Sequence, residues 1–306
     1  MHIRLLPLLA LAAAACGESR ATPDASGTPP PEAPRGSQAA SRPAPPPLPA
    51  EGILLAATAQ DSGRFTLEPI AIVTPGGLRD PWDTEDNDAF IARWLAPDTR
   101  YPVRVAGSMA GEARVLRMIE PGCTERVAEA AFTASAPLPD VWEGLASDAF
   151  GAPSPRGLLR PPTVEEANEL ATLADSIHAS HRIPSAARAA AERQQLFAVT
   201  VPGTQVPVLV GTFNVSVPGD DGTEQTYNLM LVAESRGGAY RPAFVHHDRD
   251  DGENGVRSLF EVADLDRDGV PELIGRAMYN EGWGYTVMKR GADGWTEIYQ
   301  GGGGGC

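Results

Sequence analysis

The chain has 306 residues, 42% of them hydrophobic, and a formal net charge of −15. That is enough apolar side chain for a packed core, and too acidic a balance for a nucleic-acid partner or for adsorption to anionic lipid. All but one of the 25 basic residues are arginine. The single lysine, Lys289, excludes a phosphate-binding loop ending Gly-Lys-Ser/Thr and most lysine chemistry elsewhere.

The chain opens Met1-His2-Ile3-Arg4, followed by an apolar run from Leu5 to Ala15 and then Cys16-Gly17. A positive start, a short apolar stretch and small residues before a cleavage point make residues 1–15 an expected signal peptide. The run is too short to span a bilayer, which needs about 20 apolar residues. A cysteine directly after Ala13-Ala14-Ala15 resembles the bacterial lipobox, with Ala13 where Leu is usual and Leu11 displaced from that position. The resemblance implies a lipoprotein acylated on Cys16 and held through its N-terminal lipid on the periplasmic side of a bacterial membrane. Gly17, standing where a retention Asp would sit, favours the outer membrane. Ordinary secretion, with Cys16 a plain thiol, is the alternative. Residues 16–50 are dominated by Pro, Ala, Ser, Gly and Thr and read as a disordered, semi-rigid spacer.

Residues 51–160 read as a β-rich region. Strands are expected at Gly52–Thr58, Phe65–Val73, Tyr101–Val105 and Ala113–Ile119, with a short helix from Asp86 to Leu95 and turns at Gly107 and Gly111. Residues 127–134 suit a strand or a short helix, and 135–162 are turn-rich. Residues 161–197 form an expected helical hairpin. Thr163 and Glu166 make a capping box, and Val164, Ala167, Leu170, Ala174, Ile177 and His181 share one stripe. A second helix runs from Pro184 to Leu196. Residues 198–300 switch to period two and predict seven antiparallel strands, from Val206–Val217 to Trp295–Tyr299, joined by short turns. The fold class is therefore α+β, mostly antiparallel β, with a C-terminal meander preceded by a helical hairpin.

Residues 301–306 read as a glycine leash carrying Cys306. With Cys16 assigned to lipid, Cys123 and Cys306 remain, and an even pair in an exported protein reads as one disulfide. Closing a loop of ~180 residues would stabilise by about 5 kcal/mol in the chain-entropy model. An intermolecular bridge or a free thiol are the alternatives.

The strongest local signal is Asp264-Leu265-Asp266-Arg267-Asp268-Gly269-Val270-Pro271-Glu272. Carboxylates at alternate positions of a tight loop converge on one point, and hard oxygen donors in that number suit calcium. The segment resembles the calcium loop of FG-GAP and VCBS-type repeats. By that resemblance Asp264, Asp266, Asp268 and the Val270 carbonyl are expected ligands, with Glu272 replacing the usual last Asp and the ion structural rather than catalytic. One copy implies no propeller. Three clustered carboxylates repel one another unless something neutralises them; the competing reading is a metal-free turn whose carboxylates cap backbone N–H groups.

Other clusters are weaker. His246 and His247, at the head of an acidic run, point to opposite faces of a strand and cannot easily share one ion. His178 and His181 lie three apart on a helix, with no third ligand evident from spacing. Gly107-Ser108-Met109-Ala110-Gly111 has its serine one place too early for a nucleophile elbow, and there is no His-Glu-x-x-His run. The leading expectation is a non-catalytic envelope lipoprotein with a calcium loop, its partner an unidentified envelope protein or glycan. Two alternatives are a sugar- or peptide-binding module using Trp283, Tyr285 and Trp295, and an exported hydrolase with dispersed carboxylates.

Overall fold

Strand β1 (Gly52–Ala59) carries Ile53-Leu54-Leu55-Ala56-Ala57, an unbroken apolar run in which every side chain is buried. A strand that faces solvent on one side alternates; one that is apolar throughout must be covered on both. The computed structural model describes residues 51–60, 63–83, 86–119, 126–151, 158–202, 204–219, 222–250 and 255–305. The expected signal peptide, Cys16, the linker, Cys123 and Cys306 lie outside the described residues.

Downstream of β1 come β2 (Phe65–Thr74), β3 (Gly77–Arg79), helix α1 (Asn87–Trp94), β4 (Arg100–Val105), β5 (Ser108–Ile119), β6 (Val127–Ala134) and β7 (Trp142–Ser147). They form one antiparallel sheet in the order β1-β7-β4-β5-β6-β2-β3, and β2 also pairs along β1. That last pairing closes six strands into a barrel. Its interior holds Ile53, Leu55, Leu67 and Val103 with five alanines, Ala57, Ala113, Ala128, Ala130 and Ala146; the small side chains suit the narrow bore of so few strands. Phe65, Phe132 and Trp142 fill one mouth, with ring centroids 4.8–5.4 Å apart. Helix α1, capped by Asp86 accepting from the Ala89 N–H, closes the other with Phe90 and Trp94.

After β8 (Leu159–Arg160) come α2 (Val164–Ser180), α3 (Ser185–Ala189) and β9 (Glu192–Val199). The expected capping box is present: Thr163 Oγ1 accepts from the Glu166 N–H at 3.2 Å, and Glu166 Oε2 accepts from the Thr163 N–H at 2.7 Å. The buried stripe of α2 is Leu170, Ala174 and His178, spaced by four. Val164 is 74% exposed and His181 is exposed, so the expected stripe was offset at both ends.

The expected second helix to Leu196 is corrected. Helix α3 stops at Ala189, and Glu192–Val199 is a strand paired with the first strand of the meander. The alanines favour helix, but Leu196 and Ala198 face one core while Phe197 and Val199 face another. Burial on alternate sides overrides propensity there.

The seven expected strands of the C-terminal region are β10 (Val208–Pro218), β11 (Glu224–Arg236), β12 (Ala239–Asp250), β13 (Val256–Ala263), β14 (Glu272–Tyr279), β15 (Gly282–Gly291) and β16 (Gly294–Gly305). They divide between two sheets, β12-β11-β10-β9-β8 and β13-β14-β15-β16. The second is buried on both faces. Ile274, Tyr285, Val287 and Tyr299 meet the outside of the barrel at Leu54, Ala56, Ile70 and Leu145. Leu259, Val262, Leu273, Met288 and Trp295 meet Val199, Val210, Met230 and Val232 of the five-stranded sheet. Helix α2 covers that sheet's other face on Leu209, Phe213, Leu229 and Leu231. The order of layers is helix, five-stranded sheet, four-stranded sheet, barrel.

Two further expectations are corrected. Strand β7 crosses the segment read as turns. The glycine run 301–305 is not a leash: it extends β16 along β15, pairing Gly282 with Gly305 and Trp283 with Gly304. Its second glycine, Gly302, has φ +62°, and a Cβ there would overlap the Ile70 carbonyl oxygen and crowd the Ile70 Cα. Only a residue without a side chain passes this close to β2. Gly302→Ala is therefore expected to destabilise by at least about 2 kcal/mol, since the backbone conformation alone costs ~1–2 kcal/mol. Thermal denaturation should show a clear drop in Tm, whereas Gly76→Ala, in open space with Thr74 Oγ1 3.8 Å away, should match the wild type.

Candidate metal centre

The loop between β13 and β14 is held at its base by the Ala263–Glu272 pair, the last in the register. Leu265 beneath it is buried in the core shared with the barrel. The turn needs two residues with positive φ, Arg267 at +64° and Gly269 at +87°. With that backbone, one carboxylate oxygen each from Asp264, Asp266 and Asp268 come to lie within 4.8 Å of one another. This cluster can hold a metal ion. The span is about twice a calcium–oxygen bond of ~2.4 Å.

Each carboxylate also accepts from the loop's own backbone. The Gly269 N–H donates to Asp264 Oδ2 at 3.2 Å, the Asp268 N–H to Asp266 Oδ1 at 3.1 Å and the Val270 N–H to Asp268 Oδ1 at 2.7 Å. Glu272, 2% exposed, sits at the base, where its Oε2 accepts from the Leu265 N–H at 2.8 Å. Of the five expected donors, three are thus gathered; Glu272 lies below them, and Val270 is fixed through its N–H.

Lys289 on β15 supplies the nearest positive charge. Its Nζ pairs with Asp266 and lies 3.1 Å from Asp268 Oδ2 and 3.9 Å from Glu272 Oε1. The ammonium does not serve Asp264, whose Oδ1 is buried and has no hydrogen-bond partner. Burial, opposed by the Gly269 N–H and reinforced by Asp268 and Asp266, raises the Asp264 pKa. Burial pushes Glu272 up to about 8, against the Leu265 N–H and Lys289. Four carboxyl groups thus face one ammonium. A divalent cation would offset most of the charge left over.

The loop is tied to the barrel. The Gly151 N–H donates to the Asp264 carbonyl at 3.2 Å. Beside it Arg104, 2% exposed, donates to the Gly151 carbonyl at 2.7 Å and lies over the Phe150 ring at 4.3 Å. Glu261, 1% exposed, accepts from the Ala106, Gly107 and Val262 N–H groups at 2.6, 2.9 and 2.9 Å. These N–H groups and Arg104 favour its charged form, but burial outweighs them and pushes the carboxyl up to about 8. Arg104 and Glu261 escaped the sequence reading, because nothing local marks a charged residue whose burial comes from another layer.

The remaining expectations fare differently. Tyr285 and Trp295 are 1% and 4% exposed, and the half-buried Trp283 donates its indole N–H to Glu68 at 2.6 Å. The aromatic platform therefore does not form; these rings are core. A surface groove of about 410 Å³ between Thr204–Val208, Ser235 and Gly238 contains one carboxylate, Glu234, already engaged by Arg290 and Trp295. Paired acid–base carboxylates are not found there. No family model matches the chain, and no curated protein or solved structure matches it.

Glu261 gives a pH dependence. Its folded pKa exceeds the unfolded value of 4.5, so its contribution to stability is complete below that value and is lost as pH rises through about 8. The slope is about 1.4 kcal/mol per pH unit for one proton. Chemical denaturation in chelator from about pH 5 to about pH 8 should show stability falling. Glu261→Gln should remove one proton's worth of that slope; an unchanged slope would mean that Glu261 is ionised throughout.

Proposed function

We propose that this chain is a lipid-anchored envelope protein without catalytic role, acylated on Cys16, whose exported β domain is fastened by one structural calcium ion at the β13–β14 loop. The observation that carries the metal reading is the cluster of three carboxylates within 4.8 Å, with a buried Asp264 oxygen left unpartnered beside them. All the donors are hard oxygens, which suits calcium better than zinc or copper. Asp264, Asp266 and Asp268 would hold the ion, with the Val270 carbonyl and Glu272 completing the set; the ion would supply charge neutralisation, not chemistry. Because the Asp264 carbonyl takes the Gly151 N–H, ordering of the loop would carry to the seam between sheet and barrel.

Export and anchoring rest on the apolar run ending at Cys16. Among the described residues no helix is long and apolar enough to cross a membrane, so an anchor outside them agrees with this reading. Acyl chains contribute ~0.8 kcal/mol per buried methylene, and more than one is needed for a stable hold.

Calcium at 100 times its Kd should stabilise the chelated protein by about 2.7 kcal/mol, or about 5–10 °C in Tm for a domain of this size. Asp268→Asn should remove most of that gain. Lys289→Met separates the readings: with an ion site, loss of the competing ammonium raises calcium affinity. In a lysine-capped turn, the variant is destabilised equally with and without calcium.

Intact-mass spectrometry of the protein from its native cells should find a mature chain beginning at an acylated Cys16, and Cys16→Ser should leave the chain unacylated in the soluble fraction. An intact Met1 end in the native protein would sink the anchoring proposal.

A further inference from the structure

Three of the chain's five histidines meet between α2 and β12. His178 continues the buried stripe of α2 and is 1% exposed, and His181 follows at the helix C-cap. His247 lies opposite Leu229 in the ladder and so faces α2, whereas His246, opposite Met230, faces the four-stranded sheet. His178 Nδ1 and His247 Nε2 are 3.0 Å apart. The rings of His181 and His247 stack with centroids 3.9 Å apart, and Tyr227 stacks on His247 at 5.8 Å.

An apolar seam would need none of this. The other two residues of the stripe, Leu170 and Ala174, pack on aliphatic side chains of the sheet. At the third position an imidazole is buried with its Nε2 lacking a partner, which costs desolvation that leucine would avoid. The nitrogen of His178 that faces the strand is the other one, Nδ1. Two nitrogens bound to one tetrahedral zinc at 2.0–2.1 Å lie about 3.3 Å apart, close to the separation here. A His-x-x-His pair at the helix C-terminus, joined by one histidine from a facing strand, would make a three-nitrogen set, with a position left for water, once the stacked His181 ring turns. Sequence spacing could not show this, because His247 is 69 residues from His178.

We propose that His178, His181 and His247 form a transition-metal site, with zinc as its first candidate, pinning α2 to the edge of the five-stranded sheet. His178 and His247 already face each other. His181, exposed, joins by turning its ring out of the stack. Burial, then the neighbouring His181 and His178, hold the His247 imidazole down at about 4, and burial likewise lowers His178. Neutral imidazoles are the binding form. Asp175 is paired with Arg188 at 2.9 Å, and Asp248 follows His247 on β12, so cationic Arg188 is partly offset. The trio has no carboxylate, and calcium is not expected there.

The test is titration of the full chain, in excess calcium so that the acidic loop is satisfied, with Zn²⁺ and with Co²⁺. One equivalent of zinc should bind with micromolar affinity or better. The cobalt spectrum should show nitrogen and oxygen ligation without a thiolate charge-transfer band. His181→Ala, at an exposed position that leaves the core alone, should weaken binding about tenfold or more, and His247→Ala should abolish it with far-UV circular dichroism unchanged. The proposal is overturned by wild-type binding no tighter than that of His181→Ala, by a thiolate band that puts the ion on a cysteine, or by a site lost in Asp268→Asn but kept in His247→Ala.

Discussion

The four-stranded sheet β13–β16 is buried on both faces through its central strands, and the rest of the molecule is arranged around that constraint. Strands buried on both sides need apolar residues at every position, and Val262-Ala263, Leu273-Ile274 and Val287-Met288 supply them in adjacent pairs, one member to each core. One core then requires an outer barrel surface that is itself apolar, which is why β1 loses its alternation. The other requires the inner face of the five-stranded sheet, whose outer face in turn needs α2. A polar substitution at Ile274 or Val287 would therefore strike two layers, not one.

Burial of that sheet also sets its chemistry. Its ends carry charged residues that would be solvated in an open hairpin and are enclosed here: Glu261 at the end of β13, Glu272 at the start of β14, and Arg104 from the barrel beside them. Each is nearly inaccessible. The loop's carboxylates are thus set against a low-dielectric floor, where like charges repel more strongly than on an open turn. The same aspartates on a free hairpin would be a solvated turn. Here their placement over Leu265 and Glu272 makes the need for a counter-charge acute, and Lys289 meets part of it.

The features that sequence revealed are those with a local cause. The seven C-terminal strands announce themselves because Gly- or Asp-containing turns separate apolar-rich runs of strand length, some of them alternating in polarity. The capping box of α2 needs four consecutive residues. The acidic loop is legible because its carboxylates are two apart and its glycine is in place. What escaped has causes at a distance. Trp142–Ser147 becomes a strand because β1 and β4 flank it, Glu192–Val199 because β10 and two cores claim its alternate side chains, and Gly301–Gly305 because β15 lies alongside with Ile70 behind. Neither the division of the meander at β12–β13 nor the closure of the barrel by β2 has a marker in the residues that do it. His247 belongs with His178 and His181 only once β12 has found its register on β11.

The seams differ in kind. Between the two sheets of the meander the contact is mainly aliphatic and aromatic and so largely non-directional, with Asn228 accepting from the Arg257 N–H and Glu234 from Arg290 and Trp295 across it. At the barrel seam Arg104, Glu261 and Asp264 intrude; at the helix seam His178 and His247 do. Buried polar groups at a seam reduce its strength relative to hydrocarbon, but they penalise every orientation that leaves them unpaired. Both polar seams attach an outer layer, a barrel or a single helix, whose apolar contact alone would tolerate sliding. A cation bound at either seam, hard at the carboxylates and softer at the imidazoles, would convert that orientational preference into a fixed joint. The central hydrophobic interface would stay as it is with or without ions.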